Sequence, residues 1–266
     1  MRPLLSALHI FPVKSCAPLP LASATVESRG LRHDRRWIVT DDAGKFLTGR
    51  QVPRLTLLRV VPDGDAIVVT TEGMPPLRLV PPVSGARFDV TVWASTVAAL
   101  PAGFTADAWI SLFLGMPARI AYMDDACVRP VTRDYSREGD EVSFADAFPL
   151  LVISEAALDA LNAKLATPVP MLRFRPNLVV ANTAPHAEDG WKRIRIGGIE
   201  LDLVKPCSRC VFTTVDFEKG EFDASGEPLK TLITYRRGER GVTFGQNVIP
   251  RATGTLRVGD EVEVLA

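Results

Sequence analysis

A chain of 266 residues can hold one large domain or two modest ones, each with its own core. Its 31 Lys and Arg balance 31 Asp and Glu, so no global field draws nucleic acid or an anionic membrane surface. No apolar run approaches a bilayer span, and 47% hydrophobic with 23% charged residues is the composition of a soluble globular protein.

The opening MRPLLSALHIF carries one charge and a short apolar run broken by His9 and Pro12, which predicts a first strand and no signal peptide. A reducing, cytoplasmic setting is therefore expected, without stable disulfides. Strands at 36–40 and 45–48 are expected to flank the turn Asp41-Asp42-Ala43-Gly44. Strands at 55–61 and 66–71 flank Pro62-Asp63-Gly64-Asp65 in the same way. Residues 87–93 alternate, with Phe88, Val90 and Val92 on one face. Pro75, Pro76, Pro81 and Pro82 punctuate this region, which suits a compact barrel or sandwich.

Three helices are expected. Thr105 caps one that carries Trp109, Leu112 and Phe113 and ends at Gly115. Ser154 caps a second with the stripe Leu158, Leu161 and Leu165. Pro228 opens a third bearing Leu229, Leu232 and Ile233. Further strands are predicted at 178–181, 193–196, 200–204, 211–215 and 261–265. The fold class is mainly β with a few helices: an N-terminal β-barrel domain over 1–95, then a larger β-barrel domain decorated with helices over 96–266.

The chemistry concentrates in KPCSRCVFTTVD, residues 205–216, which holds two of the four cysteines. A zinc site needs four ligands, and Cys16, Cys127, His9, His33 and His186 are all isolated in sequence. A thioredoxin-type pair needs a helix after it, whereas Val211 to Val215 are β-formers. Two small buried cysteines at a strand edge are the plain structural alternative. Lys205 and Arg209 argue for a thiolate, and in an extended segment Cys207 and Cys210 point to opposite faces. One thiolate beside a cation suits a nucleophile, a persulfide carrier or a soft metal ligand.

KPCSRCVFTTVD, followed by EPLKTLITYR (227–236), FGQN (244–247) and GTLRVGDEVEVL (254–265), resembles the MOSC domain, named from the C-terminal domain of molybdenum cofactor sulfurases. Upstream, FPVKSC (11–16), HDRRWIVTD (33–41), TGRQVPRL (48–55) and FRPNLVV (174–180) resemble the family's N-terminal β-barrel and the segment joining the two. The ordered set is most similar to the amidoxime-reducing members of the family, mitochondrial and bacterial.

The resemblance implies a molybdenum–molybdopterin cofactor whose metal is bound by Cys210, with Cys207 a bystander. It implies that Lys14, Ser15, Arg35, Arg175, Asn177, Ser208 and Arg209 bind the cofactor, whose phosphate and pterin edge call for cations and amide-like partners. The implied reaction reduces a small N-hydroxylated compound, N–OH to N–H plus water. Electrons are expected from a separate reductase or iron–sulfur protein, because the cysteines for an iron–sulfur cluster are lacking. The competing readings are a persulfide-carrying sulfur-transfer module, with any pyridoxal phosphate on a partner, and a non-catalytic cofactor carrier. Cys127, in a polar loop at 124–142, and His186 have no assigned role. Ala147 and Phe148 are set aside because they offer only backbone or packing contacts.

Overall fold

The computed structural model describes residues 2–239 and 241–266. Its largest sheet runs in the order Leu19–Leu21, Leu4–Ile10, Leu178–Ala181, Leu150–Ser154, Gly241–Pro250, Ile199–Ser208, Arg193–Ile196, Val262–Val264. The pairing of Leu150–Ser154 with Leu178–Ala181 is parallel. Helix Glu155–Asn162 lies in the connection between these two strands, as a parallel crossover demands. Leu4 bridges Glu261, and Leu5 N–H donates to Asp260 O, which brings the first strand to the far edge of the sheet. The enclosed core is aliphatic: Leu5, Leu8, Val152, Leu178, Ile194, Leu201 and Val248 are all buried.

A second assembly holds a four-stranded sheet, ordered Trp37–Thr40, Arg119–Tyr122, Ser95–Pro101, Phe88–Val92. A three-stranded meander, Arg59–Asp63, Ala66–Thr70 and Leu77–Leu79, and helix Phe104–Leu114 complete it. The two assemblies are interleaved in sequence. Leu4–Ile10 belongs to the large sheet, and Ser23–Glu27 pairs with Gly254–Arg257. A division at 95/96 falls one residue into the second strand of a hairpin, whose strands Phe88–Val92 and Ser95–Pro101 pair from Ser95 opposite Val92 to Ala99 opposite Phe88. No helix among the described residues is long and apolar enough to cross a membrane.

Strands 178–181 and 193–196 form where the sequence predicts them. Residues 45–48 make only bridges, Phe46 to Thr40 and Lys45 to Thr91, instead of a strand. The segment from 55 begins inside the 3-10 turn Pro53–Leu57, where the Thr56 hydroxyl donates to Pro53 O at 2.8 Å. Ser154 caps its helix as expected, accepting from Ala157 N. Thr105 caps nothing: the cap position is Gly103, and Ala106, Trp109, Ile110 and Phe113 form the buried i, i+3, i+4, i+7 face. Leu112 lies off that face and is 72% exposed. Pro228 stands just ahead of Leu229–Tyr235, of which Leu232 is the buried residue, while Ile233 is exposed.

Gly245 is where the fold tolerates least. Its φ is +77°, and an added Cβ would lie 2.7 Å from Val152 O and 2.5 Å from the Ile153 side chain. Gly245→Ala is expected to destabilise the protein by more than about 2 kcal/mol, because strain and overlap add. Gly64→Ala, at a φ of +62° in open space, is expected to cost about 1 kcal/mol. Urea denaturation of the two variants checks this, and equal losses would contradict it.

Candidate active site

One open cavity, about 120 Å³, collects side chains from both assemblies. Lys14, Ser15, Arg35 and Arg50 come from the N-terminal segments, and Arg173, Arg175, Asn177, Ser208, Arg209 and Cys210 from the C-terminal ones. All eight residues proposed from the sequence therefore line the same cavity. Six cations line it, against Asp146 as the single carboxylate among the described lining residues.

The cations are held by backbone and carboxylates arranged behind them. Arg35 donates from Nη1 to Asp34 Oδ2 at 2.5 Å and to Asn177 Oδ1 at 3.3 Å. Asp34, 1% exposed, also accepts from Phe11 N at 2.7 Å and from Asn177 Nδ2 at 3.1 Å. Asn177 further donates to His9 O and accepts from Leu151 N, so its amide is committed to positioning its neighbours. The guanidinium groups of Arg35 and Arg175 lie over the Phe11 ring, at 4.4 and 4.0 Å from its centroid. Ser15, Arg35 and Arg175 have φ of 69°, 51° and 58°, a left-handed backbone rare outside glycine and found at functional sites.

Lys14 is buried and donates to Phe144 O at 2.8 Å and to Asp146 Oδ1 at 2.6 Å. Burial pulls its pKa from 10.5 down to about 8, although Asp146 acts in the opposite sense. The Asp146 side chain is open to the cavity, 73% exposed. Its place among the cavity walls raises its pKa, but Lys14, Arg35 and Arg50 outweigh this and hold the carboxyl well below the usual range. The two partners thus shift downward for different reasons, Lys14 chiefly through burial and Asp146 through the cations around it. Burial, then Arg35, also lowers the Arg175 pKa, yet a guanidinium keeps its proton at neutral pH.

Around the cysteines the structure corrects three sequence expectations. Of the strand expected at 211–215 only Val215 is extended, in the short strand Val215–Asp216; Val211–Thr214 is a 3-10 turn with Cys210 at its cap. The Thr213 and Thr214 hydroxyls donate to Cys210 O and Val211 O at 2.9 and 2.8 Å, a side-chain bonding that favours a turn over β-pairing. The two cysteines do not face apart. The strand ends at Ser208, and both residues line the same cavity. Of the flanking cations, Arg209 stays with the pair and meets Cys207, while Lys205 turns to Tyr135. Arg209 donates to Cys207 Sγ at 2.9 Å and to Phe174 O at 2.7 Å, while the Lys205 ammonium lies 4.8 Å from the Tyr135 ring centroid.

The other cysteines are set apart by burial. It pushes the Cys16 thiol up to about 12, and with Asp124 it raises that of Cys127. Among the described residues no three of His, Cys, Asp and Glu converge into a metal cage. His186 packs on Phe244 and Tyr235, outside the cavity lining. Sequence reasoning missed Arg50, Arg173 and Asp146, and Ala147 and Phe148, set aside on sequence grounds, line the wall. The signal for Arg173 was its i, i+2 spacing from Arg175; Arg50 and Asp146 lay inside the motifs TGRQVPRL and FADAF.

A mainly β protein of two barrel units, with a cation-lined cavity and a thiol at their junction, is the class that fold and site define. The MOSC N-terminal beta barrel domain matches residues 2–117 and the MOSC domain residues 139–263, and the chain belongs to this family. It is 34% identical to the human mitochondrial amidoxime-reducing component 1 over 279 residues, covering 97% of this chain and 82% of that protein. The mouse protein of the same name is 35% identical, over 97% of this chain and 81% of its own. The bovine mitochondrial amidoxime reducing component 2 is 31% identical, over 97% and 82%.

Two outcomes are expected. Asp34→Asn removes the charge behind Arg35, and in urea it should cost about 3 kcal/mol. Because the Lys14 ammonium is the form lost above pH 8, inorganic phosphate should bind progressively more weakly as pH rises past that point, by up to about tenfold per unit. Calorimetric titration checks this, and Lys14→Arg should flatten the dependence; an unchanged slope contradicts it.

Proposed function

We propose that this protein reduces the N–OH bond of small N-hydroxylated compounds to N–H, releasing water, on a molybdenum–molybdopterin cofactor. The relatives' names support the reaction class. The observation that carries the reading is the convergence of Lys14, Ser15, Arg35, Arg175, Ser208, Arg209 and Cys210 on one cavity from both ends of the chain.

The residues present fit such a group. Arg173 Nη1, Arg175 Nη2 and Arg209 Nε are buried donors with no partner in the protein, as expected of a site completed by an acceptor-rich ligand. Arg35, Arg175 and Lys14 would hold the phosphate end, with Ser15 and Ser208 as hydroxyl partners. Cys210 would supply a soft sulfur ligand, which suits molybdenum. When bound, the cofactor supplies two-electron chemistry and an open position for the substrate oxygen. Asp146, kept as a carboxylate, gives the cavity an acceptor for substrate N–H groups, and Lys14 Nζ keeps it in place. Phe148, Phe174 and Phe212 in the wall exclude water.

Each turnover consumes two electrons and two protons. We propose that the electrons come from a separate donor protein. A reducing cytoplasmic setting is part of the same proposal, supported by four cysteines that are all free.

Protein made in a cofactor-competent host should contain stoichiometric molybdenum and pterin and reduce an amidoxime with a supplied electron donor. Cys210→Ala should lose activity by at least about a thousandfold, as for loss of a group essential to the chemistry. Cys207→Ala should keep its metal. Metal-free protein carrying a sulfane sulfur on Cys210 would instead favour sulfur transfer. Stoichiometric metal without reductase activity would favour a carrier.

A further inference from the structure

The hairpin of Phe88–Val92 and Ser95–Pro101 closes through a two-residue turn, Trp93-Ala94, since Val92 pairs with Ser95. Trp93 takes the first turn position, with a φ of +56°. The favoured two-residue turns need a positive φ there, and glycine is the residue that adopts it without strain. The chain follows that rule in the hairpin of Arg59–Asp63 and Ala66–Thr70, where Asp63 pairs with Ala66 and Gly64 holds the corresponding position at +62°. A bulky side chain in that conformation is a backbone outlier, of the kind found at functional sites. Trp93 is also 45% exposed, so burial of its ring is only partial and does not account for the strain.

What the indole touches belongs to the cationic cavity, although Trp93 itself stands outside the lining. The Arg50 guanidinium lies over the ring, 4.1 Å from its centroid. Nε1–H donates to Asp146 Oδ1 at 3.4 Å, the oxygen that also accepts from Lys14 Nζ. The buried Phe46 ring meets the indole edge-on at 4.9 Å and braces it from the core side. Backbone bonds from Phe46 N to Thr91 O and from Thr91 N to Gly44 O tie the hairpin to the segment that leads to Arg50. Among the described residues Arg50 makes no hydrogen bond and no ion pair. An arginine side chain has wide rotamer freedom, so the indole face is the contact that fixes where its charge lies.

We propose that Trp93 is a positioning residue of the cavity: its indole holds Arg50 as one of the six cations that receive an anion, and its N–H helps to fix Asp146. The strained turn is what aims the ring, since a glycine gives the same turn and no ring. This role is independent of the reaction proposed above, because only the cavity's own charges take part.

Calorimetric titration of the full chain with inorganic phosphate tests the proposal with a readout that needs no cofactor. Trp93→Gly should keep the turn, with a urea midpoint within about 0.5 M of the parent. Phosphate should nevertheless bind it about threefold to tenfold more weakly, the range of one cation–π contact. Trp93→Phe, which keeps a ring beneath Arg50, should stay within about twofold of the parent. Arg50→Gln should weaken phosphate binding, and adding Trp93→Gly to it should change the affinity by less than about twofold, because the indole acts through the guanidinium. Undiminished phosphate affinity in Trp93→Gly overturns the proposal. So does a double variant whose loss is the product of the two single losses, or phenylalanine proving as damaging as glycine. A glycine variant that fails to fold, or an unaltered protein that does not bind phosphate saturably, contradicts it as well.

Discussion

The protein is organised around a concentration of positive charge that its own acids leave uncancelled. Six cations surround a cavity with one carboxylate, and Lys14, Arg173 and Arg175 among them are buried. Such an arrangement destabilises the ligand-free chain through repulsion and desolvation. It is made tolerable by Asp34 against Arg35, Asp146 against Lys14, and the Phe11 ring under two guanidinium groups. An anionic, acceptor-rich ligand relieves the remainder, and binding energy is then drawn from repulsion already stored in the fold.

That arrangement explains the interleaving of the chain. The residues after the first strand reach the cavity because Leu4–Ile10 is a member of the C-terminal sheet, paired with Leu178–Ala181. Lys14 and Ser15 follow the first of these antiparallel strands, Arg175 and Asn177 precede the second, and Asn177 ties the two ends through His9 O and Asp34. Three of the lining residues adopt a left-handed backbone, at roughly 1–3 kcal/mol each. The extensive aliphatic core of the large sheet offsets strain of that size.

Much of this was legible in the sequence, for identifiable reasons. Alternating or continuous β-branched runs located 178–181 and 193–196, and Ser154 announced its helix by capping chemistry. The eight site residues were legible only as ordered motifs, since none has a local signature of its own. Val211–Thr214 was misread because β-propensity describes side chains on a pleated surface, whereas two threonine hydroxyls here bond backward to close a turn. The relation of Cys207 to Cys210 was missed for the same reason, as a parity argument fails once the strand ends between them. Asp34, Arg50 and Arg173 lay in or beside the ordered motifs but were passed over, because what gives each its role is the set of charged groups it joins in space.

The central proposal is that Cys210, in the lining of the cationic cavity, contributes a sulfur to molybdenum. X-ray absorption at the molybdenum edge, on cofactor-loaded protein and on its Cys210→Ser variant, addresses that bond directly. The account predicts that the variant loses one sulfur neighbour and gains an oxygen, with the pterin sulfurs retained. An unchanged sulfur shell in a metal-replete variant would contradict it.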